Sequence, residues 1–336
     1  MQASTDAVRI MRSVEELLAE LDERRPFLTS DSLSGSRFES VRFHGDAMIL
    51  KYICIDDDWI MRATGDINCA LLRLVESGVM SRVPPSIDHA TVAVAPFTSR
   101  RGHRGAALLM REVGSLLIPP GSDVIELETH GRFIEHMAQM HATFWAFEDT
   151  FDLFPVAHHY VFLTPTMAEL ELASGAPHAV PLAVAEGWSA LRRMVPNMAR
   201  TLDALARDPS PLVEALGRTP STLVHGDWKL GNLGEHGDGR TVLLDWTRSG
   251  AGTATLDLGW YLAVNCDRLP ESKEAAIERY RRALQRCNVE MESWWNTQLS
   301  LALLGAALQL AWAKVHDPKE LHWWEERVSA AEHLLA

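Results

Sequence analysis

The sequence predicts an α+β fold with a strand-rich N-terminal part and a mainly helical C-terminal part. Residues 38–43 and 47–53 alternate apolar and polar side chains around a tight turn, which is typical of an antiparallel hairpin. From about residue 130 onward, apolar residues instead recur at helical spacing. Because 336 residues are enough for about two domains, we expect two lobes, residues 1–112 and 113–336.

In the N-terminal part, capping signals and turn residues separate the expected elements. Ser13 and Glu16 have the spacing of a capping box, which favours a helix that begins there. Gly45 lies between the two alternating segments and predicts a hairpin turn. The expected elements are, in order, a helix over residues 13–25, strands over 38–43 and 47–53, a helix over 66–79, and strands over 90–96 and 106–113.

The C-terminal part is expected to be helical apart from two segments. Residues 151–181 contain four scattered prolines and predict a connector. Residues 223–246 have the only clear strand pattern in this half. The expected helices are 130–148, 182–207 with an interruption at Pro196, 211–217, 257–267, 271–287, 293–315 and 318–335.

Composition and charge limit the class of protein. A formal net charge of −13 argues against nucleic acid or an anionic membrane as the main partner. The four cysteines are scattered without CxxC or zinc spacing, and the N-terminus has no secretory signal, so we expect a cytoplasmic protein. The most apolar segment, residues 297–313, is interrupted by polar residues and indicates a buried helix rather than a membrane span.

Residues 223–246 place three oxygen-bearing side chains at the ends of short strands. Asp227 follows an apolar pair and His225-Gly226, Asn232 comes five residues later, and Asp245 closes the next apolar strand. A phosphoryl-transfer site needs such a set: one carboxylate receives a hydroxyl proton, and an amide and a carboxylate hold Mg²⁺.

A hairpin turn is the plain alternative for this stretch, because Gly and Asn both favour turns. The chain contains an internal comparison, since residues 44–46 repeat the tripeptide His-Gly-Asp. That copy has Lys51 where the motif has Asn232, and we interpret it as a turn. Asn232 and Asp245, rather than the tripeptide, therefore carry the functional prediction.

The sequences His-Gly-Asp-Trp-Lys-Leu-Gly-Asn (225–232) and Leu-Leu-Asp-Trp (243–246) resemble the aminoglycoside phosphotransferase and choline kinase-like family. The resemblance implies a two-lobed protein kinase-like fold and transfer of the γ-phosphoryl group of ATP, with GTP as the alternative donor, to a hydroxyl group. It further implies that Asp227 is the catalytic base or the group that orients the hydroxyl, with a structural role for the neighbouring His225. Asn232 and Asp245 would then be the Mg²⁺ ligands.

Two lysines are further candidates within this resemblance. Lys229, two residues after the base, would neutralise the γ-phosphate in the transition state; a solvent-exposed loop lysine is the alternative. Lys51, on the second strand of the hairpin, matches the lysine that contacts the α- and β-phosphates, with an exposed strand lysine as the alternative. The family has an acidic partner for this lysine on the following helix, which offers Asp66 and Glu76; Glu76 is the better guess because it lies on the helix proper.

The remaining nucleotide contacts are expected at a turn and at a strand end. The small-residue turn over residues 32–36 would lie over the phosphates and donate N–H and hydroxyl groups. The strand end at residues 110–113 would form a hinge that binds the adenine edge, with an ordinary buried strand end as the alternative. The candidate residues are Ser34, Gly35 and Ser36 in the turn, and Met110, Glu112 and Val113 in the hinge.

The acceptor is expected to be a small molecule that binds in the second lobe. Asp257, which resembles the family's structural aspartate beside the catalytic loop, follows Asp245 by only a dozen residues. That distance leaves no room for the long activation segment of protein kinases. The negative charge and the C-terminal tryptophans suit aminoglycosides, amino sugars or amino alcohols, although core packing is the plain explanation of the tryptophans.

Two other classes stay open from the sequence. A nucleotide-binding pseudokinase or regulatory protein is the first, because the acidic partner of Lys51 does not stand where the family has it. A helical binding protein without nucleotide is the second. Neither a nucleic acid nor a membrane is expected as a partner, and the oligomeric state is open.

Overall fold

The computed structural model describes residues 8–28, 34–175 and 178–335. It confirms the α+β class, because the N-terminal part is rich in strands and the C-terminal part is mainly helical. The strands are β1 (Arg9–Ile10), β2 (Leu21–Phe27), β3 (Arg37–Phe43), β4 (Asp46–Cys54), β5 (Ile87–Asp88), β6 (Thr91–Thr98), β7 (Arg104–Arg111), β8 (Thr222–Val224), β9 (Leu233–Glu235), β10 (Thr241–Leu243) and β11 (Gly250–Gly252). The α-helices are α1 (Val14–Ala19), α2 (Trp59–Thr64), α3 (Ala70–Glu76), α4 (Leu127–Thr143), α5 (Pro165–Ala173), α6 (Ala179–Met194), α7 (Pro196–Arg207), α8 (Ser210–Gly217), α9 (Ala254–Val264), α10 (Lys273–Arg286), α11 (Trp295–Leu310) and α12 (Pro318–Ala331).

The N-terminal part is built on one six-stranded sheet with the order β1-β6-β7-β4-β3-β2. The pairs are antiparallel except at one edge, where β1 runs parallel to β6. Leu50, Ala95 and Leu109 are fully buried in the apolar core against this sheet, and α1 adds Leu17. Burial of these side chains holds the central strands in register, because a shift of one residue would turn them to the opposite face.

The predicted hairpin between β3 and β4 is confirmed. The strands pair antiparallel as far as Phe43 and Asp46, which leaves a two-residue turn. In that turn His44 has φ +51° and Gly45 has φ +89°, and positive φ values at both positions give the twist that suits a tight hairpin. The interpretation of this His-Gly-Asp copy as a turn is therefore correct.

The predicted helix over residues 13–25 is wrong in its second half. The hydroxyl of Ser13 does cap α1, but this helix ends at Ala19 and β2 begins at Leu21. β2 is an edge strand, where a proline such as Pro26 is tolerated because one side of the strand needs no ladder hydrogen bonds. Pairing with β3 outweighs the modest helix propensity of this short segment.

The other predicted elements lie within about five residues of the observed ones, and the break at Pro196 between α6 and α7 is confirmed. The sequence patterns did not predict α2, which lies between the two N-terminal helix regions, or α5, which lies in the expected connector. α5 has clear local signals: the hydroxyl of Thr164 accepts the N–H of Met167, and Pro165 occupies the first helical position. Its apolar residues do not form one helical stripe, so periodicity did not reveal it.

The most apolar segment is the buried helix that the sequence predicted. Every residue of α11 from Leu301 to Leu310 is buried, and so is the polar Gln298, whose side-chain NH₂ donates to Thr219 and Pro220. Within the ranges that the structure describes, no helix combines the length and the apolar character needed to cross a membrane.

The chain divides into two compact units. The first unit comprises the described residues up to Gly121 together with Thr150–Leu153 and Leu230–Ser249, and the second comprises Ser122–Asp149, Phe154–Lys229 and the described residues from Gly250 onward. The first unit thus includes the hairpin of β9 and β10, and the two lobes expected at residues 1–112 and 113–336 stay a prediction.

In the second unit, α9 packs closely against α11. A Cβ atom at Gly259 would lie 3.0 Å from the carbonyl oxygen of Ala302, so glycine permits the close approach of the two helices. Leu258 of α9 and Leu304 of α11 are fully buried. This packing fixes the helix that carries Asp257.

Candidate active site

The loop that carries Asp227 is anchored by a buried aspartate of α9. The loop begins where β8 ends, and the N–H groups of His225 and Gly226 donate to the two carboxylate oxygens of Asp257, each at 2.7 Å. Gly226 has φ +78°, a left-handed conformation that glycine adopts without strain. Two amides bonded to one carboxylate fix the course of the loop backbone.

Asp257 keeps its charge although it is fully buried. His141 Nε2 lies 3.1 Å from its Oδ2, and His141 Nδ1 lies 2.6 Å from the hydroxyl of Tyr280. Burial alone would raise the pKa of Asp257, but the hydrogen bond from His141 and the charges of His141 and His225 outweigh it and lower this pKa. These contacts agree with the structural role that the sequence suggested for Asp257.

Each carboxylate oxygen of Asp227 lies beside a nitrogen donor. Oδ1 accepts a hydrogen bond from Nε1 of Trp260 at 3.0 Å, and Oδ2 lies 3.0 Å from Nζ of Lys229. The Asp227 side chain is 8% exposed, so charge-assisted bonds of this kind offset the loss of hydration. The structure therefore brings the predicted Lys229 to the predicted base.

Trp260 was not among the residues predicted from the sequence. The sequence feature that could have indicated Trp260 is its position. Trp260 comes three residues after Asp257 on α9, and residues at that spacing share a helix face. A tryptophan in an apolar helix ordinarily indicates core packing, so only the folded structure reveals its bond to Asp227.

The two predicted metal ligands flank the hairpin of the first unit. Asn232 directly precedes β9, and Asp245 follows β10 by two residues. Leu233 pairs with Leu243, and the N–H of Leu244 donates to the carbonyl oxygen of Asn232 at 2.9 Å. This register brings both residues to the same end of the hairpin. Amide and carboxylate oxygens are the hard ligands that Mg²⁺ prefers, so the donor set fits this ion.

Asp245 adopts a backbone conformation that is uncommon for residues other than glycine. Its φ is +63° and its ψ is +67°, in the left-handed region, where a residue other than glycine carries strain of about 1–3 kcal/mol. Its Oδ1 accepts the hydroxyl of Thr247 at 2.9 Å and lies 3.0 Å from Nζ of Lys51. Strain of this kind is concentrated at functional sites, where the surrounding structure holds it in place.

Lys51 is a buried lysine in the middle of the sheet. It lies on β4, opposite Phe38 of β3 and Leu108 of β7, and only 6% of its surface is exposed. The alternative of an exposed strand lysine is therefore wrong. A buried ammonium group needs a counterion, and the carboxylate of Asp245 provides one.

Glu76, the best guess for the partner of Lys51, forms a different ion pair. Its Oε1 lies 3.1 Å from Arg104, and both side chains are more than 40% exposed. Glu76 is the last residue of α3, which begins at Ala70 rather than at residue 66. The guess is wrong because the Glu76 side chain lies at the surface beside Arg104, and the carboxylate that pairs with Lys51 is that of Asp245.

A second buried carboxylate, Asp58, lies within electrostatic range of Lys51. Asp58 precedes α2 and caps it by accepting the N–H groups of Ile60 and Met61. Burial raises the pKa of Asp58, while the charge of Lys51 acts in the opposite direction. The sequence patterns did not single out Asp58, because a capping aspartate needs no functional explanation.

The turn predicted to lie over the phosphates is described from Ser34 onward, and its residues 32 and 33 lie outside the described ranges. Gly35 has φ +96°, and the hydroxyl oxygens of Ser34 and Ser36 are 3.1 Å apart. The Ser36 hydroxyl also donates to Oδ2 of Asp58 at 3.3 Å. The turn is thus connected to the carboxylate that caps α2.

The candidate hinge lies at the end of β7. Met110 pairs with Ile49 inside the sheet, and the N–H of Glu112 donates to the carbonyl oxygen of Ala47 at 3.3 Å. Val113 is buried in a small apolar cluster. These contacts suit an ordinary strand end as well as a hinge, so the adenine-binding role stays a prediction.

The two sets of predicted residues belong to different compact units. Lys51, Asn232 and Asp245 lie in the first unit, whereas Asp227 and Lys229 lie in the second. In the first unit, Lys51 pairs with Asp245, which lies at the same hairpin end as Asn232. In the second unit, Asp227 lies on the loop that Asp257 anchors and pairs with Lys229.

Phosphoryl-transfer enzymes use a carboxylate that orients the acceptor, a lysine that contacts the phosphates, and an Asn/Asp pair that holds the metal ion. Residues 99–292, more than half of the chain, match the model of the phosphotransferase enzyme family, APH. The chain belongs to this family, which confirms the resemblance seen in its sequence.

Several solved structures resemble the chain at low sequence identity. A macrolide 2′-phosphotransferase type I is 14% identical over 94% of this chain and 95% of that chain, with a TM-score of 0.46. A microcompartment-associated aminopropanol kinase is 13% identical over 95% and 94%, with a TM-score of 0.48. The choline kinase LicA from Streptococcus pneumoniae is 12% identical over 95% of both chains, with a TM-score of 0.48. No curated protein sequence gives a significant match.

Proposed function

We propose that this protein is a small-molecule kinase that transfers the γ-phosphoryl group of ATP to a hydroxyl group of a small acceptor. The observation that carries the proposal is the anchored loop, in which Asp257 fixes the backbone amides and Asp227 presents a nearly buried carboxylate. Phosphoryl transfer to an alcohol needs a carboxylate held in this way, to orient the hydroxyl group and accept its proton. Asp227 would be this catalytic base.

Lys229 would supply positive charge beside the base. Its ammonium group lies 3.0 Å from Asp227, and 31% of its side chain is exposed. A long, partly exposed side chain can move over a few ångströms to balance the charge on the γ-phosphate in the transition state. The contact with Asp227 supports a role in the reaction better than the alternative of a solvent-exposed loop lysine.

The proposed donor is ATP, with GTP as the alternative. Lys51 would contact the α- and β-phosphates, because it is the buried cation next to the proposed metal ligand Asp245. The backbone N–H groups and hydroxyls of Ser34, Gly35 and Ser36 would donate to phosphate oxygens. The remaining proposed contacts, with the adenine edge, come from Met110, Glu112 and Val113.

Asn232 and Asp245 would hold Mg²⁺. The ion, when bound, neutralises charge on the phosphates and orients them. The hairpin register supports this assignment, because it brings the two residues to the same end of the hairpin, where Asp245 also forms an ion pair with Lys51. A second cation near this carboxylate would weaken that ion pair and release Lys51 toward the phosphates.

A small acceptor is favoured by the chain between Asp245 and α9. Residues 246–248 form one 3-10 turn, and β11 then pairs antiparallel with β8. Nothing in this described stretch is left over to form an extended segment that could bind a peptide. An alcohol of low molecular weight therefore suits the chain better than a protein side chain.

The proposed acceptors are aminoglycosides, amino sugars or amino alcohols. The net charge of −13 favours cationic acceptors. The tryptophans give weaker support, because Trp294, Trp295 and Trp324 are at most 7% exposed and core packing accounts for them. Nucleic acids and membranes are not part of the proposal. A cytoplasmic location, also proposed, suits the four cysteines, all of which are free thiols.

A pseudokinase that binds nucleotide without transferring phosphate is the second candidate. The observation in its favour is that the carboxylate beside Lys51 is Asp245, a proposed metal ligand, whereas Glu76 of α3 pairs with Arg104. A lysine without a partner of its own on a helix would be less well oriented toward the phosphates.

An ATP-consumption screen over aminoglycosides, amino sugars, amino alcohols and nucleosides, combined with thermal unfolding in Mg-ATP, separates these functions. A kinase is expected to show a higher Tm in Mg-ATP and acceptor-dependent ATP consumption. A pseudokinase would show the Tm increase alone. If the protein shows neither a Tm increase nor ATP consumption, the kinase and the pseudokinase are both contradicted. A helical binding protein without nucleotide is then the remaining class.

A further inference from the structure

Two different nitrogen donors lie beside the oxygens of the Asp227 carboxylate. Trp260 Nε1 donates to Oδ1 at 3.0 Å, and Lys229 Nζ lies 3.0 Å from Oδ2. Trp260 is only 5% exposed, and its ring packs 6.3 Å from that of Phe162, whereas the Lys229 side chain is 31% exposed. One neighbour is therefore fixed and the other is able to move.

We propose that Trp260 is a positioning residue for the catalytic base: its indole N–H fixes the rotation of the Asp227 carboxylate and leaves Oδ2 to receive the acceptor proton. The inference rests on the proposed function, since it assumes that Asp227 is the base. Trp260 is not part of the His-Gly-Asp loop, and it is neither one of the two lysines nor a proposed metal ligand.

The physical reason is that a carboxylate rotates freely about its last torsion unless a donor holds it. The terminal torsion of an aspartate has a broad energy minimum, so its two oxygens are nearly equivalent in the absence of other contacts. The indole N–H is a donor only, and cannot turn round to accept a bond. A buried donor of fixed direction therefore makes the two oxygens of Asp227 different.

α9 would then fix the base in two ways. Asp257 holds the loop amides of His225 and Gly226, and Trp260, three residues later on the same helix face, holds the side chain of Asp227. Backbone and carboxylate are thus positioned from one turn of one buried helix. Because α9 packs closely on α11, this turn has little freedom to shift.

Lys229 is less suited to this role. A partly exposed lysine has several rotatable bonds, and its proposed task at the γ-phosphate requires it to leave Oδ2 during the reaction. Trp260 can keep its bond to Oδ1 throughout. Oδ1 of Asp227 thus has a fixed donor, Trp260, and Oδ2 has a mobile cation, Lys229.

The test replaces Trp260 with phenylalanine, which keeps an aromatic ring and removes the N–H. Turnover is measured with Mg-ATP and the acceptor that gives the highest rate in the screen, and with Mg-ATP and water when no acceptor is faster. We expect kcat to fall about 10- to 100-fold, as for a small misplacement of a reacting group. The KM for ATP is expected to stay within about twofold, because Trp260 lies at the base and not among the proposed nucleotide contacts.

Trp324→Phe is the matched control. Trp324 is also buried, and its indole N–H also donates to a carboxylate, Oε1 of Glu320 at 2.8 Å, in the same compact unit. Trp324→Phe therefore removes the same indole N–H group and leaves a comparable packing defect. A kcat of Trp260→Phe no lower than that of Trp324→Phe would overturn the inference.

Asp227→Asn separates failure of the inference from failure of the proposed function. If Asp227→Asn keeps the wild-type rate, or the wild type shows no turnover, Asp227 is not an active base and the proposed function itself fails. If Asp227→Asn is inactive while Trp260→Phe equals its control, only the inference fails.

A measurement without turnover tests the contact itself. In a ¹H–¹⁵N spectrum of the full chain, the indole resonance of Trp260 is assigned by its loss in Trp260→Phe. We expect Asp227→Asn to move this resonance, because a bond to a charged oxygen becomes a bond to a neutral group. A resonance that does not move would show that the hydrogen bond is absent and would overturn the inference.

Discussion

The bond between Asp257 and the loop predicts a large loss of stability in Asp257→Asn. The two carboxylate oxygens accept the N–H groups of Gly226 and His225 at 2.7 Å each, and His141 Nε2 lies 3.1 Å from one of them. Asparagine has nearly the same shape but only one acceptor oxygen. In either orientation of the amide, at least one loop N–H therefore faces an NH₂ group.

The size of the expected loss in unfolding free energy follows from the hydrogen bonds that Asp257→Asn removes. A hydrogen bond to a charged group contributes about 1.5–3 kcal/mol, and a buried donor left without an acceptor costs about 1–3 kcal/mol. Asp257 is completely buried, so water does not replace the lost bonds. We expect the free energy of unfolding to fall by about 3–5 kcal/mol, the range for breaking a buried charged pair.

Urea unfolding of wild type, Asp257→Asn and a control, Asp203→Asn, measures this difference. Asp203 forms two hydrogen bonds with Arg192, but the pair lies at the surface with side chains 20% and 47% exposed. Its removal is expected to cost at most about 1 kcal/mol. Should Asp257→Asn fall within about 1 kcal/mol of Asp203→Asn, the anchoring of the loop by Asp257 would be refuted.

The pH dependence of the same difference is also expected to have a definite sign. The folded-state pKa of Asp257 is lowered, so the native state binds fewer protons at this group than the unfolded state does. The stabilisation is fully present above the ordinary aspartate pKa of about 3.9 and is lost as the pH falls through the lower, folded-state pKa. The stability difference between wild type and Asp257→Asn should therefore be constant near neutral pH and shrink only in strong acid. A difference that grows on acidification would contradict this assignment.

The remaining predictions concern the first unit. Lys51→Met is expected to abolish the Tm increase in Mg-ATP, because the buried cation beside Asp245 is lost, whereas the exposed Lys319→Met should keep it; an unchanged shift in Lys51→Met would exclude Lys51 as a phosphate ligand. Gly234→Ala is expected to lower the free energy of unfolding by about 1–3 kcal/mol, since its Cβ would lie 2.5 Å from the carbonyl oxygen of Leu116. Gly237→Ala, in the turn of the same hairpin, meets no atom within 4 Å and should change stability by at most about 0.5 kcal/mol in urea unfolding; equal effects of the two variants would show that this close backbone approach is not present.

Local patterns predicted the parts of the fold that local interactions determine. The hairpin of β3 and β4 has alternating side chains and a His-Gly turn, and both signals lie within the segment itself. The break at Pro196 likewise follows from one residue. The segment after Ala19 was misread because its strand structure depends on pairing with β3, and that partner lies more than ten residues away in the chain.

The candidate site shows the same limit. Asp227, Asn232 and Asp245 are recognisable because their spacing is a property of one loop and one hairpin. The counterion of Lys51 and the indole bond of Trp260 connect residues far apart in the chain, so no local pattern contains them. Glu76 was chosen from helix position alone, and helix position does not show that its side chain lies at the surface beside Arg104.

The proposed function depends most on the role of Asp227 as the base of a phosphoryl transfer. Wild type and Asp227→Asn are compared for both turnover and the Tm increase in Mg-ATP, with the best acceptor from the screen. We expect a loss of turnover of about 10²- to 10⁴-fold, the contribution of general base catalysis, with the Tm increase retained. Turnover at the wild-type rate in Asp227→Asn would contradict this role.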